Sequence, residues 1–166
     1  MRCRVKRSKQ SGITLIETMI AILVLSFGML GMLSVFLNSL KITSTSHFRS
    51  IAAQQSYALA DSIRANLPQL AVYPTASGAA VSNCFTTAGC TTAEMTQTEI
   101  ALWQARLAAL LPSGAGTICR DSTPTDGTPG AWACDNAAGA QFVIKVCWDD
   151  SRVATSTATE CVKTNL

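Results

Sequence analysis

Hydrophobic and polar positions along the chain fall into three patterns. Residues 13–37 read ITLIETMIAILVLSFGMLGMLSVFL, almost continuously apolar, with no charge between Thr18 and Leu37. About 20 apolar residues in a helix span a bilayer core, so this run is long enough to cross one. From Lys41 to Asn66 the pattern changes. Phe48, Ile51, Ala52, Leu59 and Ile63 keep a helical apolar spacing, with Gln55 as a gap, and the remaining positions are polar enough to face water. Leu67-Pro68 is the expected stop, because proline disfavours the helical conformation just before it. Residues 13–66 are thus predicted as one helix of roughly 80 Å at about 1.5 Å per residue. Gly28 and Gly31 lie inside it, as sites of close helix packing, of local unwinding, or simply of tolerated glycine.

Beyond Pro68 the apolar runs shorten. Residues 69–92 are rich in Ala, Ser, Thr and Gly and are predicted as loop. Thr91-Thr92-Ala93-Glu94 matches a capping box, in which a hydroxyl and a carboxylate satisfy the free amides of a helix start. The helix that follows places Ile100, Trp103, Leu107 and Leu110 on one face and ends at Pro112. Thr117–Arg120 is a short candidate strand, and residues 121–140 are punctuated by Pro124, Gly127, Pro129, Gly130 and Gly139 as loop. Phe142, Ile144, Val146 and Trp148 alternate with Val143, Lys145 and Cys147, the clearest strand in the chain. Glu160–Thr164 forms a third. The expected fold is α+β: a long N-terminal helix packed on a small antiparallel sheet, with one short extra helix.

Charge sharpens this division. Five of the 13 basic residues (Arg2, Arg4, Lys6, Arg7 and Lys9) precede the apolar run, with no acid among them. Without that block, eight Lys and Arg face ten Asp and Glu, so the rest of the chain is not a basic nucleic-acid surface. The basic block is expected to stay cytoplasmic and the C-terminal part to lie outside. A secretory signal fits poorly, since its apolar core runs to about 7–15 residues and ends at a small-residue cleavage site. Here the run is longer and leads into Asn38-Ser39-Leu40-Lys41.

Of seven cysteines, Cys3 stands in the basic block, whereas Cys84, Cys90, Cys119, Cys134, Cys147 and Cys161 all fall in the second half. An even number confined to one segment points to disulfides and an oxidising compartment. Pairing of sequence neighbours is expected: Cys84–Cys90, Cys119–Cys134 and Cys147–Cys161. No metal site is expected, because no C-x-x-C pair exists and the one histidine, His47, lies far upstream. His47 carries no assigned chemistry, and Arg49 and Asp61 belong to the solvated face. Trp103 reads as core packing.

Glu17 sits four positions inside the apolar run. An intramembrane acid is a functional hypothesis by default, and the alternative is a carboxylate in the headgroup zone of an ordinary anchor. The residues around it bear on the choice. Lys9-Gln10-Ser11-Gly12 followed by Ile13-Thr14-Leu15-Ile16-Glu17 resembles the type III signal of type IV pilins and type II secretion pseudopilins. That resemblance implies cleavage between Gly12 and Ile13 by a membrane-bound prepilin peptidase, followed by N-methylation of Ile13. Ile13 departs from the phenylalanine usual at that place but keeps it apolar. The family's hallmark acid, fifth in the mature chain, falls on Glu17. The cut leaves a cationic amine in an apolar setting, and Glu17 of a neighbouring subunit can pair with it, relieving both desolvation costs and setting axial register. The implied division is a leader over 1–12, a transmembrane and assembly segment over 13–40, the exported part of the helix over 41–67, and a periplasmic or extracellular domain over 68–166.

Further stretches resemble PilV-type minor pilins: Ile22–Gly31 in the apolar helix, Tyr57–Asn66 ending in Arg-Ala-Asn, Leu111–Gly116, and Val146-Cys147-Trp148-Asp149-Asp150. The resemblance implies a subunit of the type IV pilus that primes assembly, and through it adhesion and twitching motility. Its implied partners are other minor and major pilins, the peptidase/N-methyltransferase, the inner-membrane assembly platform and membrane lipid. Its implied route is the inner membrane, with the N-terminus cytoplasmic, and then the pilus surface. A minor pseudopilin of type II secretion and a membrane-anchored adhesive or ligand-binding module are the alternatives. Catalysis is not expected, and no cofactor is called for. The second half has no histidine, no serine-nucleophile elbow and no P-loop.

Overall fold

The computed structural model describes residues 14–76, 79–150 and 159–166. Helix α1 spans Leu15–Ala65 and helix α2 spans Thr92–Leu110. Strands β1 (Ala115–Asp121), β2 (Gln141–Asp149) and β3 (Thr159–Asn165) follow. They form one antiparallel sheet in the order β1-β2-β3. The chain divides into two units, Met1–Thr43 and Ser44–Leu166. This is the α+β, type IV pilin-like architecture expected from the apolar pattern. The segment between α1 and α2 contains two short 3-10 turns, Leu67–Gln69 at the predicted helix stop and Ser82–Phe85 within the predicted loop.

In the second unit α1 places small side chains against the core. Ala52, Ser56 and Ala60 recur every fourth residue and are fully buried, so the helix backbone can approach its neighbours closely. The Ser56 hydroxyl returns to the Ala52 carbonyl at 2.9 Å, which satisfies it inside an apolar layer. Leu59 and Ile63 add bulk beside them. Facing them are Ile100, Trp103 and Leu107 of α2, together with Ile118, Ile144, Val146 and Trp148 of the sheet. The Trp103 indole N–H donates to the Gln55 carbonyl at 3.1 Å, so this residue both fills the core and ties α2 to α1. Gln55 Oε1 and the Trp148 indole N–H are buried without a hydrogen-bond partner among the described residues.

Helix α2 begins as its capping box requires. Thr91 Oγ1 accepts from the Glu94 N–H, and the Glu94 carboxylate accepts from the Thr91 N–H at 2.8 Å. That backbone hydrogen bond is the main reason the Glu94 carboxyl lies below its ordinary range. The other end differs from expectation. Leu110 is 44% exposed, whereas Leu111, the first residue past the helix, is 2% exposed and completes the core. Leu111 has extended backbone, which turns its side chain inward where a further helical residue would point elsewhere.

The chain then reverses tightly into β1, and Gly116 sits beneath Trp103. A Cβ at Gly116 would stand 2.4 Å from Trp103 Cη2 and 2.5 Å from Leu107 Cδ1. Gly116→Ala is therefore expected to lower stability by about 1–3 kcal/mol through overpacking against a rigid indole, measured as a shift in the urea midpoint at constant slope.

Strand β2 is buried along both faces, not along one. Phe142, Ile144, Val146 and Trp148 face the helices, and Val143, Lys145 and Cys147 are equally enclosed on the other side. The cover on that second side is the 122–135 loop. Cys119–Cys134 anchors it to β1, and Cys147–Cys161 joins directly opposed residues of β2 and β3. The third disulfide, Cys84–Cys90, clips the loop before α2. Each closure stabilises by roughly 2–3 kcal/mol in the chain-entropy model, a large share for a small domain.

Candidate assembly helix and the clusters of the second unit

In the first unit α1 shows apolar side chains on every side. Leu15, Ile16, Met19, Phe27, Met32 and Val35 are all well exposed, and the least covered, Met32, is 78% exposed. Water would make such a surface unfavourable at roughly 25 cal/mol per Å², so the segment is built for lipid or for other helices. Among the described residues, α1 is one helix long and apolar enough to cross a membrane by length and composition.

Three of its hydroxyls bond back to the helix backbone. The hydroxyl of Thr18 donates to the Leu15 carbonyl at 2.8 Å, that of Ser26 to Ile22 at 2.7 Å and that of Thr43 to Ser39 at 2.9 Å. Hydrogen-bonding groups in hydrocarbon must be satisfied internally, and these are. Glu17 differs from these three. It lies in the first turn of α1, is exposed, and has no hydrogen-bond or ion-pair partner among the described residues. Its position near the helix N-terminus is favourable for a negative charge by about 0.3–1 kcal/mol. That is less than the several kcal/mol a carboxylate costs in lipid. Gly28 and Gly31 remain within the helix, and a Cβ at either would meet nothing within 4 Å. Neither glycine answers to a contact in its own chain. Gly12 and Ile13, the expected cleavage and methylation positions, lie outside the described residues.

The second unit holds two features that sequence reasoning did not single out. The first surrounds Lys145. Its ammonium group is fully buried and donates to the Asp121 carboxylate, to the Asp126 carboxylate at 3.2 Å, to the Asp126 carbonyl at 3.1 Å and to the Trp132 carbonyl at 2.7 Å. The hydrogen bond from Lys145 holds the Asp121 carboxyl below its usual range, against the opposing effect of its burial. Lys163, directly opposite Lys145 on β3, donates to the Thr125 carbonyl of the same loop. Two like charges side by side on a sheet repel, and the loop's oxygens compensate both. A lysine at an alternating strand position was the available signal, but the pattern alone marks such a position as solvent-facing.

The second feature is an open groove of about 590 Å³ between the end of α1, the Cys84–Cys90 loop and α2. Arg49 and Asp61 are exposed, as expected, and each has an ion-pair partner: Glu160 at 2.9 Å for Arg49 and Arg64 at 3.0 Å for Asp61. His47 is exposed. No group of three or more His, Cys, Asp or Glu side chains able to hold a metal occurs among the described residues.

Residues 7–33 match the prokaryotic N-terminal methylation motif. This span includes Gly12, Ile13 and Glu17, together with the first part of the exposed helix. The methylation motif supports a type IV pilin-like or pseudopilin chain and is consistent with membrane anchoring through α1. It covers about a sixth of the sequence, and the second unit lies wholly outside it. No curated protein and no solved structure matches the chain significantly.

Proposed function

We propose that the chain is a minor pilin of the type IV pilus, acting in assembly priming and in the complex at the pilus tip. The observation that carries this reading is the methylation motif over residues 7–33, which reaches the part of α1 whose apolar side chains are exposed all round and in which Glu17 is the acid. In this reading residues 1–12 are a leader removed on the cytoplasmic side, and Ile13 becomes the methylated N-terminus. Residues 13–40 lie in the membrane before assembly and in the packed interior of the filament after it. Residues 41–67 and 68–166 form the exported part, where disulfides persist. The partners are other pilins and the membrane-bound assembly machinery, and the role is structural. The Arg64-Ala65-Asn66 and Trp148-Asp149-Asp150 stretches favour the pilus over the secretion system.

Deleting the protein is expected to abolish or sharply reduce surface pili while leaving type II secretion intact. Loss of secretion with normal pili would instead establish a pseudopilin. Processing supplies a separate test. Gly12→Val is expected to leave the precursor uncut, so that intact-mass measurement of membrane-extracted protein finds the leader still attached. A mature chain beginning near Lys41 in the unmodified protein would contradict the proposal.

A further inference from the structure

The 122–135 loop is a strap laid across the sheet. Its two ends hold each other, since the Ser122 N–H donates to the Asp135 carboxylate at 3.3 Å. Just past it, the Asn136 N–H donates to the Arg120 carbonyl of β1 at 3.0 Å. Within it, Thr128 and Ala131 exchange backbone hydrogen bonds at 2.9 and 3.0 Å, so the strap has a folded tip. Gly127 has a φ of 87°, and a Cβ there would stand 2.3 Å from the Trp132 carbonyl oxygen. That same oxygen accepts from the Lys145 ammonium at 2.7 Å. The strap is shaped to set its carbonyls down on a buried cation.

The forces that keep it down are unevenly distributed. No residue of 122–135 belongs to the hydrophobic core. The strap's polar contacts are to groups that water would also satisfy. Enclosing the Lys145 ion pair gives back much of its attraction as lost hydration, so covering it gains little net. The Cys119–Cys134 bond is different in kind, because it joins the strap to β1 covalently across 15 positions of sequence. In the chain-entropy model a closure of that length favours the closed state by roughly a hundredfold. The other two bridges hold other parts. Cys147–Cys161 joins strands already paired along their length, and Cys84–Cys90 clips the loop before α2.

We propose that Cys119–Cys134 is a redox latch on this strap. With the bond formed, the strap covers β2 and encloses Lys145. With two thiols in its place, the strap lifts and Lys145 meets water, while α1, α2 and the sheet persist. The reaction is thiol–disulfide exchange with a dithiol. One thiolate of the reductant attacks Sγ of Cys134, the half-buried partner, and the 4% exposed Cys119 leaves as a thiolate that takes up a proton. The second thiol then releases Cys134, so the reductant ends as a disulfide and the latch as two thiols. The reverse exchange, with a disulfide as oxidant, closes the strap. The latch belongs to the second unit and holds for a pilin and a pseudopilin alike.

The test uses the full chain in detergent, pulsed with an acetylating N-hydroxysuccinimide ester and read by peptide mass spectrometry. Exposed Lys41 is the internal reference. Cys119→Ser combined with Cys134→Ser is expected to raise Lys145 acetylation relative to Lys41 by about tenfold or more. Hydrogen exchange should quicken across 122–135 and stay slow at the amides of Phe142–Trp148. Cys147→Ser combined with Cys161→Ser should leave Lys145 protected. In the unmodified chain, dithiothreitol should expose Lys145 in step with alkylation of Cys119 and Cys134, and reoxidation should protect it again. Four results would overturn the latch. One is a Lys145 that stays unlabelled in the Cys119→Ser, Cys134→Ser chain. Another is loss of protection at Phe142–Trp148 in that chain, which would make the bond a support of the whole domain. The third is equal labelling of Lys145 in the Cys147→Ser, Cys161→Ser chain. The last is labelling that reoxidation does not reverse.

Discussion

Glu17→Val is expected to leave cleavage and membrane insertion intact and to remove the protein from sheared pili. The variant segment is more apolar, so insertion does not suffer. Loss of the favourable helix-terminus position costs the helix only about 0.3–1 kcal/mol, too little to disturb a long apolar helix. The larger effect falls on the assembly. In the proposed pairing a cationic amine of a neighbouring subunit loses its partner, and an unpaired charge in lipid costs roughly 2.5–3.5 kcal/mol on insertion scales. Recruitment should therefore fall on the order of a hundredfold, read by quantitative immunoblotting of sheared pili against the membrane pool. Glu17→Asp keeps the charge on a shorter arm and should retain more incorporation. Normal incorporation of Glu17→Val would count decisively against pairing.

Lys145→Met should have the largest effect on the fold. Methionine is close in shape and apolar, but it leaves the Asp121 carboxylate and the Asp126 and Trp132 carbonyls without their donor beneath the 122–135 loop. Removing one partner of a buried pair is far more harmful than replacing both, because the remaining charge stays enclosed. The melting midpoint of the full chain in detergent is expected to fall by at least about 10 °C. Replacing Asp121 by Leu in the same chain should recover part of that loss. The pH dependence supplies a second reading. The Asp121 carboxyl is held below its ordinary range in the folded chain. Its stabilising contribution is therefore fully present above the unfolded carboxylate value of about 3.9 and is lost as pH falls through the folded value. The unmodified chain should lose stability below roughly pH 4. In Lys145→Met that acid loss should be shallower, because protonation relieves an orphaned carboxylate. Identical acid profiles for the two chains would show that the pair does not carry this contribution.

Most of the element order was legible because it depends on local periodicity. The uncharged run to Leu37, the capping residues Thr91 and Glu94, and the alternation through Phe142–Trp148 each act within a few residues of the chain. Glu17 stood out for the same reason, as a charge where its neighbours admit none. The ends of elements were less legible. Leu110 and Leu111 are chemically identical neighbours, and only the turn of the backbone after α2 decides which one enters the core.

What the sequence by itself determined is the division into an apolar N-terminal run and a cysteine-bearing α+β domain, since length, charge and periodicity settle how each segment meets water or lipid. The tertiary structure alone decided the environment of Lys145. Alternation shows that it lies opposite the apolar face of β2, but not that a loop held by Cys119–Cys134 crosses that face and supplies three oxygens to the ammonium group, beside the Asp121 carboxylate of β1. It also decided that Phe85, Leu102 and Arg106 border one groove, because segments distant in sequence meet there only after α2 has docked against α1. Local patterns report which side chains avoid water. Which of them share a neighbour depends on packing between elements, and no short stretch of sequence encodes it.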